Sequence, residues 1–138
     1  MRNDGSSSEE FFKAKMESIF GKKVFIEKFT DTKAVKGVNK TGFVKSSPAD
    51  FVVTALGKMF WAEVKSCSDK VSFPISQLTA SQVRAIVRQE AAGGQYWVFI
   101  HNMNTDKWYK VAGSELLALD KKSIKWTEMK ELQWTTQM

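Results

Sequence analysis

Apolar positions along the chain fall into two periods. Phe12, Met16, Ile19 and Phe20 recur at helical spacing, which predicts a helix over Glu9 to Phe20, capped by Ser8 and stopped by Gly21. Val24-Phe25-Ile26, with Phe29, reads as a strand. Residues 30–47 hold few large apolar side chains and many turn formers, which predicts a long loop or a hairpin. Asp50 to Ala55 and Met59 to Lys65 then read as two strands of an antiparallel hairpin turning at Gly57-Lys58. Thr79 to Ala92 has helical spacing, with Val83, Ile86 and Val87 facing inward and Gly93-Gly94 ending it. Tyr96 to Ile100 is almost wholly apolar, as befits a central strand buried on both faces. Lys107 to Val111 pairs with it across an Asn104-Thr105-Asp106 turn. Ser114 to Leu119 reads as a short helix, and Ile124 to Met138 as an edge strand or docked tail. The order α-β-β-β-α-β predicts an α/β fold, a small mixed β-sheet flanked by helices.

Length and composition narrow the class. The 138 residues fit one domain, 1–138, with a basic loop at about 30–47 and a C-terminal extension at about 112–138. The single cysteine, Cys67, excludes an internal disulfide framework and any Cys-based zinc site, and suits a reducing cytosol. No run reaches the ~18 apolar residues of a membrane span, and Met1 to Glu10 lacks the apolar stretch of a signal peptide. The expected location is therefore cytoplasmic. The net charge is +6, and residues 22–45 carry seven lysines against Glu27 and Asp31, five of those six charges. That favours a polyanionic partner, DNA first, over a neutral ligand. Only three arginines are present, Arg2, Arg84 and Arg88. Lysine is a flexible point charge, so Lys33, Lys36, Lys40 and Lys45 suit phosphate contact rather than base reading. A solvated loop that keeps the chain soluble is the other reading of this segment.

The chemistry concentrates at the hairpin. Strand side chains alternate, so Glu63 and Lys65 share one face. With the turn centred between residues 56 and 57, Asp50 and Glu63 lie near one another across the hairpin. Two carboxylates and one ammonium then converge at its open end. Asp50, Glu63 and the Val64 backbone carbonyl supply hard oxygen ligands for Mg²⁺, with Mn²⁺ as a substitute. Such an ion polarises a phosphoryl oxygen and acidifies water. Lys65 can hold the attacking water and offset charge in the transition state. The spacing D-x₁₂-E-x-K alone is not specific, and Glu63 with Lys65 also suits a surface pair.

Ser47-Pro48-Ala49-Asp50-Phe51, followed by Trp61-Ala62-Glu63-Val64-Lys65-Ser66, resembles the PD-(D/E)XK nuclease superfamily. There the aspartate opens the second core strand and E-x-K ends the third. Ala49, between Pro48 and Asp50, departs from that pattern. Ser72-Phe73-Pro74-Ile75 and Thr79-Ala80-Ser81-Gln82 resemble the RecU-type and archaeal Holliday junction resolvases. The similarity covers roughly residues 8–101. It implies a restriction-endonuclease-like core, a homodimer, cleavage of four-way DNA junctions, a glutamine facing the metal site and a glutamate on the first helix near it. Gln82 matches the first, although Thr79 to Gln82 also fits a helix capping box. Glu9 lies closer than Glu10 to the packing face, so Glu9 is the candidate, with an interaction with the helix dipole as its other reading. Lys70, just past Lys65, is a candidate phosphate contact. His101 is the lone histidine and has a structural or a phosphate-contacting reading.

Two further functions fit the same residues: a nicking, repair or restriction-like endonuclease acting on duplex DNA, and a non-catalytic nucleic-acid-binding module. The basic loop supplies a prediction common to all. Neutralising Lys33, Lys36 and Lys40 together should lower the salt slope of DNA binding by about 0.9 per lost phosphate contact. An unchanged slope in a salt titration returns the loop to a role in solubility.

Overall fold

The computed structural model describes residues 5–30 and 47–138; the predicted basic loop, with Lys33, Lys36, Lys40 and Lys45, lies outside the described residues apart from its ends. Helix α1 (Gly5–Phe20) leads through a single 3₁₀ turn into strand β1 (Val24–Lys28). Strands β2 (Phe51–Ala55) and β3 (Lys58–Cys67) form the predicted hairpin. A short β4 (Ser72–Pro74) precedes helix α2 (Ala80–Ala91). Strands β5 (Tyr96–Asn102) and β6 (Lys107–Ala112), helix α3 (Gly113–Leu117) and strand β7 (Ser123–Lys125) complete the fold.

The main sheet has the order β1-β2-β3-β5-β6. All its pairings are antiparallel except β3 with β5, which run parallel because α2 carries the chain back across the sheet. The sheet is therefore mixed and flanked by helices, as the sequence pattern predicts. The hairpin turns on Leu56 and Gly57, both with positive φ (51° and 79°), the conformation whose twist matches that of paired strands.

Each sheet face carries its own core. Phe12, Met16 and Phe20 of α1 pack on Phe51, Val53, Phe60, Val64 and Phe99. Ile86 of α2 and Leu116 of α3 pack on the other face, against Tyr96, Val98, Ile100 and Val111. Strand β5 contributes to both cores, which explains its unbroken apolar run.

Two local expectations are corrected, and the C-terminal stretch holds both a short strand and a docked tail. Helix α1 starts at Gly5, so Ser8 is not its cap but a buried residue inside its first turns. Val87 is 56% exposed, because α2 meets the sheet through Ile86 and leaves the next position to solvent. Strand β4 pairs with β7 in a separate two-stranded sheet, which draws Ile124 and Trp126 over Phe73. The tail beyond is docked, with the Leu132 amide donating to the Trp108 carbonyl at 2.7 Å.

Helix α2 sits close to α3 because Gly113 has no side chain. A Cβ there would lie 2.7 Å from Ile86 Cγ2. Ile86 is one turn beyond Gln82, so this contact also fixes how α2 presents that residue. Gly113→Ala is expected to cost about 1–3 kcal/mol by overpacking, read as a lower urea midpoint with an unchanged slope.

Candidate active site

The hairpin register sets the first pair. Phe51 lies opposite Ala62, so Asp50 meets Glu63 one step beyond the end of β2. The backbone of Asp50 is held on both sides: its amide donates to Ala62 O at 3.1 Å and its carbonyl accepts from Phe29 N at 2.9 Å. Just upstream, the buried Tyr96 hydroxyl donates to Pro48 O at 2.7 Å and fixes the approach to the aspartate. Its side chain accepts from the Val64 amide, with Oδ2 at 2.8 Å. The Ala49 spacer is buried in the core on the α2 side, so Asp50 still stands at the head of its strand.

Glu63 is 3% exposed. Its Oε2 receives Gln82 Nε2 at 2.8 Å and has Lys65 Nζ at 3.5 Å. Its Oε1 is buried and has no hydrogen-bond partner among the described residues. Gln82 serves both of its readings at once. Its Oε1 accepts from the Thr79 amide while the Thr79 hydroxyl accepts from the Gln82 amide, closing the capping box. Its other end, Nε2, reaches Glu63. The cap thus orients the amide that touches the carboxylate.

Electrostatics mark the pair as strained when no cation lies between the carboxylates. Burial pushes the Asp50 carboxyl up to about 6, against the pull of the Val64 amide. Burial and then the Asp50 charge push Glu63 up to about 8, with Lys65 opposing. The Glu9 charge raises both. Glu9 is half-buried at the start of α1, whereas Glu10 is exposed. Lys28 Nζ lies 3.0 Å from Glu9 Oε1, and that contact raises the lysine.

These residues fit a divalent cation. The donors are hard oxygens, and two buried carboxylate oxygens, Glu9 Oε1 and Glu63 Oε1, lack a hydrogen-bond partner among the described residues. Among the described residues, no three or more His, Cys, Asp and Glu side chains gather closely enough to hold a metal. Asp50 and Glu63 form the adjacent carboxylate pair, and Glu9, 3.0 Å from Lys28 Nζ, lies near enough for its charge to reach both.

Other sequence candidates lie apart. Lys70 is exposed in the β3–β4 connection. His101 is stacked on Trp108, ring centroids 4.7 Å apart, on the sheet face opposite Glu63. Lys28 was not singled out by sequence reasoning; strand alternation from the buried Ile26 was the signal that placed it on the α1 side.

The chain was compared with known proteins. No curated protein matches it. Among solved structures, Hjc of Archaeoglobus fulgidus, a Holliday junction resolvase from an archaeal hyperthermophile, matches with a TM-score of 0.56 over 89% of each chain at 15% identity. At that identity the likeness speaks for the fold alone, and it is the restriction-endonuclease-like fold. The family model of recombination protein U, RecU, matches residues 5–138, nearly the whole sequence. The chain belongs to the recombination protein U family of Holliday junction resolvases.

Proposed function

We propose that this resolvase is an Mg²⁺-dependent endodeoxyribonuclease that cuts four-way junctions as a homodimer. The observation that carries the metal reading is Glu63 Oε1, a buried carboxylate oxygen without a partner beside a second carboxylate. Asp50, Glu63 and the Val64 carbonyl would hold the ion. When bound, it supplies Lewis acidity toward the phosphodiester and toward water.

The protein side chains do the rest. Gln82 fixes Glu63 by donating to Oε2, leaving Oε1 for the ion. Lys65, 15% exposed and within 3.5 Å of Glu63, keeps its ammonium beside the carboxylates and stabilises charge growing on the phosphate. Lys33, Lys36, Lys40, Lys45 and Lys70 would neutralise junction backbone. Two copies related by a two-fold axis suit the symmetry of a four-way junction and the two cuts it needs.

The direct test is cleavage of a synthetic four-way junction against matched linear duplex, with Mg²⁺ and with EDTA. Cleavage is expected on the junction alone and only with metal. Asp50→Asn and Glu63→Gln should each lower kcat by about 10²–10³-fold or more, the scale of a lost electrostatic contact in a transition state, while junction binding in gel shift persists. Equal rates on junction and duplex sink junction selectivity. A wild-type chain inert with Mg²⁺ and Mn²⁺ points to a binding module.

The raised carboxyls also predict a pH dependence. Both groups bind protons more tightly folded than unfolded, where carboxyls titrate near 4. Metal-free stability from this pair is therefore fully present below about 4. It is lost as pH rises toward about 6 for Asp50 and about 8 for Glu63. In EDTA, the urea midpoint of wild type should fall relative to Glu63→Gln between pH 5 and pH 8. Mg²⁺ should restore more stability to wild type at pH 8 than at pH 5. A constant gap between the two proteins across that range contradicts the assignment.

A further inference from the structure

On the sheet face opposite Glu63, four polar side chains form a continuous chain. Ser66 Oγ donates to Ser8 Oγ at 2.6 Å. Ser8 Oγ lies 3.1 Å from His101 Nδ1. His101 Nε2 lies 2.7 Å from Asp106 Oδ1. Every link can be satisfied at once. His101 donates from Nε2 to Asp106, because a carboxylate oxygen accepts, its Nδ1 shares a proton with the Ser8 hydroxyl, and Ser8 accepts from Ser66.

The chain is built rather than incidental. Ser8 is 2% exposed, an unusual burial for a serine on the packed side of a helix. The imidazole is fixed by stacking on Trp108, at an interplanar angle of 13°. Asp106 has a positive φ of 57°, a conformation that aspartate tolerates better than most residues. Asp106 closes the β5–β6 turn and so brings its carboxylate to the ring.

The links join elements that carry the site. Ser66 follows Lys65 on β3, and Ser8 precedes Glu9 on α1. Glu9 is the carboxylate whose charge reaches both Asp50 and Glu63. Close packing of Phe12 and Met16 holds the middle of α1 on the sheet but places no polar group. Hydrogen bonds are directional and fix its start.

We infer that Ser8, Ser66 and His101 are positioning residues, a polar tie that sets how far Glu9 reaches toward the Asp50–Glu63 site. This rests on the reading of Asp50 and Glu63 as the metal site. None of the three touches the reacting groups; each acts through Glu9.

The test is a double-mutant cycle on the full chain, read by calorimetric titration with Mg²⁺ and by kcat and KM on a four-way junction. Ser66→Ala and Ser8→Ala are expected to weaken Mg²⁺ binding on the order of tenfold, and to lower kcat with KM unchanged. In a Glu9→Gln background the same substitutions should change affinity by less than about twofold, since the group they position is gone. Equal losses in both backgrounds, or wild-type affinity in both serine variants, overturn the inference. Ser66 is half-buried, less enclosed than Ser8, so Ser66→Ala keeps the test decisive even where Ser8→Ala does not fold. A wild-type protein that binds Mg²⁺ yet leaves junctions uncut defeats the resolvase chemistry alone, and the calorimetric cycle still decides the tie.

Discussion

The register of one β-hairpin underlies the rest of the site. A two-residue turn at Leu56 and Gly57 forces Phe51 opposite Ala62, and that pairing brings Asp50 to Glu63. A slip of one residue would reverse the face of every side chain on β3, taking Glu63 and Lys65 into the core beneath α1. The slip is opposed by burial as much as by the turn. Phe60, Ala62 and Val64 lie under α1 while the alternate residues serve the other face. The same alternation that builds the core therefore presents the carboxylate and the ammonium.

Holding two carboxylates together with little water is unfavourable. Burial alone disfavours each charged form, and their mutual repulsion adds to it. The fold offsets this locally with directed donors: the Val64 amide to Asp50, Gln82 to Glu63 and Lys65 alongside. Stability of the whole is supplied elsewhere, by two cores on opposite faces of the sheet. Fully burying a side chain such as Phe12 or Phe99 contributes about 1.5–3 kcal/mol. The apolar scaffold and the polar site are separate structures sharing the same strands, so the site can remain under electrostatic tension while the sheet stays intact.

What was legible in the sequence follows from range. The hairpin register, the double burial of β5 and the capping box are local patterns, and the structure has them. The two roles of Gln82 looked like alternatives because sequence separates a cap from a ligand. Geometry joins them, since an amide has two ends. Lys28 beside Glu9 and the Ser66–Ser8–His101 chain link residues up to 93 positions apart, and no periodicity encodes such contacts. Val87 was misassigned for a related reason. A helical stripe shows which side is apolar, but not how much of that side the sheet covers. Ser8 misled most directly, because serine before an apolar helical run is the usual sign of a cap.

That misreading bears on how α1 works. A serine at the helix boundary would have its hydroxyl occupied by the helix's own amides. Starting the helix at Gly5 moves Ser8 inside it and frees the hydroxyl to bond across to the sheet. The following residue, Glu9, is then half-buried with its carboxylate 3.0 Å from Lys28 at the end of β1. Helix α1 is thus attached at its start by polar contacts to β1, β3 and β5, and farther along by the apolar Phe12, Met16 and Phe20. The polar end lies beside the open end of the hairpin, where carboxylates have to be placed to within fractions of an ångström. Non-directional packing is enough for the remainder of the helix, whose task is to cover the sheet.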